Sequence, residues 1–371
     1  MKKIFTLIAA LAIIFSTSIS FAAEKIIEAS GEYIMDTRLD ETFASGTARA
    51  REEAKRTAIE KAGVYLKSYS KIIDLELVED EVETVATRLL KIQEESSKVD
   101  PAGDNLLKFT VTIKALVNDL SDEDLKAMMQ DRQSLDDATR KYKALQEEYE
   151  ALKNQMEKLK RDYSTASDSR KDKIKQEVAR NTKNFSAVGA MACGNDFYFA
   201  KDYMQALTTY DEAIKLNPNY AEAYNNRGNV KFALKQFSAA IEDYTAAIKL
   251  KSNFVDALNN RGNAYANLGQ FQKAAQDLQA ALKLNNDNAA IHNNLGSVYY
   301  SQKNFDAAIK EFTQAIQINP KYSEAWYNRA VAYYLQGNLI QSLLDMKEAR
   351  GLNSTDAETQ AFYEKLARQV G

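Results

Sequence analysis

Between residues 187 and 354 the sequence repeats with a period of 34 residues, and this period restricts the fold more than any other feature of the chain. A unit of that length holds two helices and a turn. The units begin at Ala187, Ala221, Val255, Ala289 and Ser323, and a small residue falls in register on each first helix at Gly194, Gly228, Gly262, Gly296 and Ala330. On the second helix small residues recur at Ala206, Ala240, Ala274, Ala308 and Ser342, and again at Ala213, Ala247, Ala281, Ala315 and Ala349. A bulky side chain stands between them at Tyr210, Tyr244, Leu278, Phe312 and Met346. Small residues leave gaps that the large residue of a neighbouring helix fills, so each helix pair buries its apolar face only against the next pair. With only 3 prolines and 13 glycines in 371 residues, little interrupts helices anywhere in the chain.

The unit length, these small and bulky positions, and the closing prolines Pro218 and Pro320 resemble the tetratricopeptide family. Ser252, Asn286 and Ser354 replace that proline in the other units, and Lys231 stands where an aromatic is usual. The resemblance implies an α-solenoid of five repeats over residues 186–354 that binds another protein. Residues 355–371, with Phe362, Tyr363 and Leu366 at helical spacing, are expected to form the capping helix that a solenoid end requires.

Asparagines stand in register on the first helices: Asn226, Asn260, Asn294 and Asn328, with Asn225, Asn259 and Asn293 beside three of them. An amide offers both a donor and an acceptor, so such a ladder suits the successive peptide groups of an extended chain. Together with Asn229 and Asn263 these residues form the candidate peptide-binding groove, a use that resembles some tetratricopeptide proteins. The competing reading is that the amides satisfy one another between neighbouring helices. Arg227, Arg261 and Arg329 occupy a helix-packing position, where their stems are expected to pack while the heads reach solvent.

Ahead of the repeats, residues 121–185 read as a helical linker. Leu135, Tyr142, Leu145, Tyr149, Leu152, Met156, Leu159 and Tyr163 step by three and four in a narrow stripe, the pattern of a coiled-coil seam, and predict self-association into a homo-oligomer. The alternative is an amphipathic helix lying on a neighbouring domain. A break is expected at 164–169, where helix propensity is low.

Residues 23–120 predict a small α/β domain. Leu107, Phe109, Val111, Ile113, Ala115 and Val117 alternate as a half-buried strand, and 27–35 form a weaker one. Between them Ala48, Ala54, Ala58, Ala62 and Leu66 mark one face of a long helix, and a second helix is expected over 80–90, both packed on one side of the sheet. Gly31-Glu32-Tyr33, the helix over 48–61, Ala62-Gly63-Val64-Tyr65 and the late strand resemble the N-terminal domain of flagellar assembly protein T and related envelope lipoproteins. That resemblance implies an envelope protein of a bacterium with an outer membrane. Glu79, Asp80 and Glu81 lack the glycine and ligand alternation of a calcium loop and read as acids at a helix N-terminus.

Residues 1–22 predict a cleaved signal peptide: Lys2 and Lys3 precede an apolar run over 4–15, and small residues lead to Ala22. The expected location is the periplasm or the exterior, with no transmembrane segment after signal removal. Losing Lys2 and Lys3 moves the formal charge from −3 to −5, too acidic for a nucleic-acid binder. No cofactor, metal or catalytic residue is expected. Cys193 and His292, each single in the chain, lie almost three repeats apart, and neither a Walker loop nor a dinucleotide fingerprint is present. The fold class that follows is mainly α: a solenoid preceded by a coiled-coil helix and a small α/β domain. The expected function is an exported, non-enzymatic adaptor whose partners are other proteins of the cell envelope, bound as extended segments. The alternative is an architectural component of an envelope or flagellar assembly, docking through the N-terminal domain. A cell-division coordinator is a further alternative, since that family is similar in placing tetratricopeptide repeats after a coiled coil.

Overall fold

The structure is a computed structural model that describes residues 25–39, 41–72, 82, 85–87, 89–117, 132–352 and 357–370. Residues 1–22, with the expected signal, and Glu79, Asp80 and Glu81 lie outside the described residues. The chain is mostly helical and divides into two compact units, residues 1–202 and 203–371.

The first unit carries a three-stranded antiparallel sheet of β1 (Lys25–Asp36), β2 (Leu90–Gly103) and β3 (Leu106–Val117), with β3 in the centre. Alternation along β3 sends Phe109, Val111, Ile113, Ala115 and Val117 to one face, where α1 (Phe43–Ile72) covers them. The buried stripe of α1 is Ala50, Ala54, Ala58, Ala62 and Leu66, at steps of four, while the expected Ala48 is only half-buried. Alanine lets the helix backbone settle close to the sheet. At Gly31 of β1 the approach is closest: a Cβ there would lie 2.2 Å from both the Ala50 carbonyl oxygen and the Ala54 nitrogen, so only glycine fits. Lysines cover carbonyls of β1, with Lys61 Nζ donating to Glu28 O and Lys160 Nζ to Ile34 O, each at 2.7 Å.

The sequence offered no sign of β2. Its residues beyond Ile92 are almost all exposed on both faces, so no period-two pattern marks them. Pairing to β3 holds the strand, with register shifts between Ile92 and Glu94 and between Pro101 and Gly103, and Arg51 of α1 donates from Nε and Nη2 to Glu95 Oε1 at 2.9 and 2.6 Å. Of the helix expected over 80–90, the described residues Val82, Val85, Ala86 and Leu89 are buried, and β2 begins directly after them.

The linker corrects the coiled-coil expectation. Helices α2 (Arg132–Thr165) and α3 (Asp168–Phe199) pack together within one chain, and Ala166 and Ser167 form the break between them. Met156 and Leu159 are buried against Ile174 and Val178 of α3 and against Leu39, while Tyr149 stacks on Phe185 with ring centroids 4.8 Å apart. Asn181 donates to the Leu152 carbonyl oxygen at 3.2 Å. Toward the sheet domain Lys153 pairs with Glu53 at 3.5 Å and Arg56 pairs with Glu150. The stripe is therefore covered by this chain's own α3. The period fixed which face is apolar but not which helix would meet it. Tyr142, Leu145, Leu152 and Tyr163 are half-buried along it, and the Leu135 side chain lies outside the described residues.

The second unit is a tandem helical array. It opens with α4 (Tyr203–Leu216), followed by α5 (Ala221–Ala233), α6 (Phe237–Leu250), α7 (Val255–Asn267), α8 (Phe271–Leu284), α9 (Ala289–Ser301), α10 (Phe305–Ile318), α11 (Ser323–Leu335), α12 (Leu339–Leu352) and α13 (Ala357–Val370). The packing follows the expected knob-and-hole logic. A Cβ at Gly228 would lie 2.6 Å from the Tyr244 ring, and one at Gly296 would lie 2.6 Å from Phe312. Each turn inside a repeat contains one left-handed residue, in register at Lys201, Lys235, Gly269, Lys303 and Gly337.

Position 186 falls inside α3, which runs unbroken to Phe199. Residue 357 lies one full period after Ser323, so α13 is the first helix of a half-repeat. There Phe362 replaces the ladder asparagine and packs on Tyr327 and Tyr334, Leu366 is fully buried, and Tyr327 donates to Glu358 Oε1 at 2.7 Å.

Candidate interaction surface

The register asparagines lie along the contacts between successive first helices. Asn294 donates through Nδ2 to Asn259 Oδ1 (2.9 Å), Asn259 to Asn260 Oδ1 (3.4 Å), and Asn260 to both Asn225 Oδ1 (3.2 Å) and Asn229 Oδ1 (2.9 Å). Asn225 passes the chain on to Asn226 Oδ1 at 3.1 Å. This is a directional amide relay that binds α9 to α7 and α7 to α5. It is interrupted at the fourth repeat. Asn328 donates to Asn293 Oδ1 (3.0 Å), but Asn293 turns to Glu324 Oε1 at 3.1 Å. Glu324 stands where Asp256 and Ala290 stand in the third and fourth repeats, and its longer arm reaches the amide.

Much of the hydrogen-bonding capacity of the ladder is thus used between repeats. Asn225 and Asn293 are 2% and 1% exposed and Asn226 is buried, whereas Asn229, Asn259, Asn260, Asn263, Asn294 and Asn328 are half-buried. One member is different. The side chain of Asn263 bonds no other described residue, although its backbone oxygen accepts from Asn267 Nδ2 at 2.9 Å. Asn263 lies one period after Asn229, whose Oδ1 accepts from both Asn260 and Tyr244 (2.9 Å for each).

The arginine heads do not reach solvent as expected; each is clamped by an aspartate sixteen residues later. Arg227 donates from Nε and Nη2 to the two oxygens of Asp243 (2.9 and 2.6 Å), Arg261 to those of Asp277 (2.7 and 2.8 Å), and Arg329 to those of Asp345 (2.7 and 2.9 Å). The remaining Nη1 reaches back one repeat, to Asp211, Thr245 and Thr313 respectively. The clamps join first to second helix and one repeat to the next. Bidentate guanidinium–carboxylate geometry is the strong form of this pairing. Burial pushes the Asp345 carboxyl up, against the pull of Arg329. The signal that the sequence reading missed was the Asp at a constant offset of sixteen. The fourth repeat marks it by contrast, because Leu295 and Glu311 stand there in place of the pair.

Glu311 is engaged by His292 instead. His292 Nδ1 lies 2.7 Å from Glu311 Oε2 and Nε2 lies 3.2 Å from the Asn286 carbonyl oxygen. Both partners are pure acceptors, so the ring satisfies both only as the imidazolium. The bond to Glu311 accordingly holds its pKa above the ordinary histidine value. Cys193 is half-buried, and burial pushes its thiol up, the reverse of what activates a nucleophile. Among the described residues no group of three His, Cys, Asp or Glu side chains is placed to hold a metal, and no helix is long and apolar enough to cross a membrane.

The model of the TPR repeat matches four overlapping segments, residues 194–235, 228–269, 262–303 and 296–337. Residues 194–337 are TPR repeats. Solved structures similar to the chain include MamA, with 25% identity over 47% of this chain and 94% of that one and a TM-score of 0.41. YrrB, described as a TPR protein with an unusual peptide-binding site, has 22% identity over 51% of this chain and 96% of its own, with a TM-score of 0.42. PilW, described as a widely conserved type IV pilus biogenesis factor, has 19% identity over 50% and 86%, with a TM-score of 0.47. No curated protein matches the chain. A TPR array is a scaffold for protein–protein contacts, since stacked repeats present one extended surface. The likeness to flagellar assembly protein T is not among these matches.

Proposed function

We propose that the chain is an exported, non-enzymatic adaptor that captures an extended segment of another envelope protein along the first-helix face of its TPR array. Export rests on the basic, apolar and small-residue order of residues 1–22. The observation that carries the binding reading is Asn263: a half-buried amide with no bond to another described side chain, at the register position of Asn229 and beside a relay that fixes its neighbours. An amide held beside an ordered network is ready to pair with a peptide group at little entropic cost.

The test follows from the split between committed and uncommitted amides. Asn263→Ala removes no bond to a described side chain, so the free energy of unfolding should stay within about 0.5 kcal/mol of the parent, as is typical of neutral substitutions. Capture of envelope proteins by the purified chain should fall. Asn260→Ala strips the donor from Asn225 and Asn229 and should destabilise the array by roughly 1–3 kcal/mol. Unchanged capture by a normally folded Asn263→Ala chain would move the binding surface elsewhere.

A further inference from the structure

The outward face of the last full repeat breaks the pattern set by the others. Position 340 is the register equivalent of Ser238, Gln272 and Asp306, and position 344 that of Glu242, Gln276 and Lys310, all exposed and polar. On α12 they are Ile340, 62% exposed, and Leu344, 52% exposed. Position 351, occupied by Lys249, Lys283 and Gln317 in earlier repeats, is Gly351, and a Cβ built there meets nothing within 4 Å. Steps of four, three and four place residues 340, 344, 347 and 351 on a single helix face. Between the leucine and the glycine stand Lys347 and Glu348, both exposed and neither ion-paired with another described residue.

We propose that this face of α12 binds a second copy of the chain, helix against antiparallel helix about a two-fold axis between residues 347 and 348. In that register Lys347 of each copy faces Glu348 of the other, giving two reciprocal ion pairs from charges that have no described partner within one chain. Leu344 of each copy lies over Gly351 of the other, a knob above a position with no side chain, which lets the helix axes approach closely. A two-fold contact uses one patch twice, so it must be complementary to itself, and the order Leu, Lys-Glu, Gly at 344, 347–348 and 351 is. A partner of one charge sign would satisfy only half of it.

The test is sedimentation equilibrium on residues 23–371, with circular dichroism confirming that each variant is folded. The parent should dimerise reversibly, and Lys347→Glu, which sets like charges opposite each other, should raise the dissociation constant by about tenfold or more. Lys347→Glu combined with Glu348→Lys restores opposite charges in the same register and should return the dissociation constant to near the parent value, while Leu344→Lys should leave a monomer. Rescue by the double swap is specific to the two-fold register. A parent that stays monomeric at concentrations on the order of 100 μM would overturn the proposal, and so would a dimer indifferent to all three variants.

Discussion

At the scale of single residues, the array is held by side chains that answer one another at fixed offsets. Asp277 is 8% exposed and takes both its hydrogen bonds from Arg261, so removing either partner strands the other. Asp277→Ala should cost about 2–4 kcal/mol, and the cycle with Arg261→Ala should return a coupling of about 1–3 kcal/mol in chemical denaturation. Repeat four shows that the pair can be replaced, with Leu295 buried where the arginine stands elsewhere. His292 makes that repeat sensitive to pH. Its folded pKa is raised above 6.5 by Glu311, so its stabilising contribution is complete below the unfolded value and lost as the pH climbs through the folded one. The melting point of the chain should decline on that alkaline side, and His292→Gln should flatten this part of the profile. The asparagine register was readable in the sequence because it recurs. The rival reading of those amides as mutual partners describes most of their bonds, and Asn263 was indistinguishable from the rest until the bonds of its neighbours were known.

Among the helices and strands, legibility followed periodicity. The TPR helices repeat every 34 residues and β3 alternates along its whole length, so both could be read from sequence. β2 could not, because a strand exposed on both faces beyond Ile92 has no apolar face to mark it. The stripe of α2 is legible as an apolar face but its partner is not, since a repeat of three and four looks the same against a second chain or a helix of the same chain. Met156 is 1% exposed in that contact. Met156→Ala should therefore destabilise the chain by about 2–4 kcal/mol without changing its mass in solution, as a dimer seam would. The turns make a separate prediction. Lys303 holds φ 61 at a position where repeats three and five use Gly269 and Gly337. Lys303→Gly should stabilise the array by about 0.5–1 kcal/mol in thermal unfolding, the left-handed strain relieved less the entropy glycine adds to the unfolded chain.

Across the whole molecule, the chain divides into two compact units. Residues 203–371 present register surfaces on both the first and the second helices, while residues 25–202 hold a sheet domain with its own helical hairpin. In the proposed function the first helices of the array take hold of an extended segment. Hydrogen exchange on the chain with and without a captured partner measures this directly, because it locates contact without a mutation. New protection is expected on α5, α7 and α9, centred on Asn263, with the second helices little changed. Protection confined to the sheet domain, or to the outward faces of α6, α8 and α10, would contradict the proposed function.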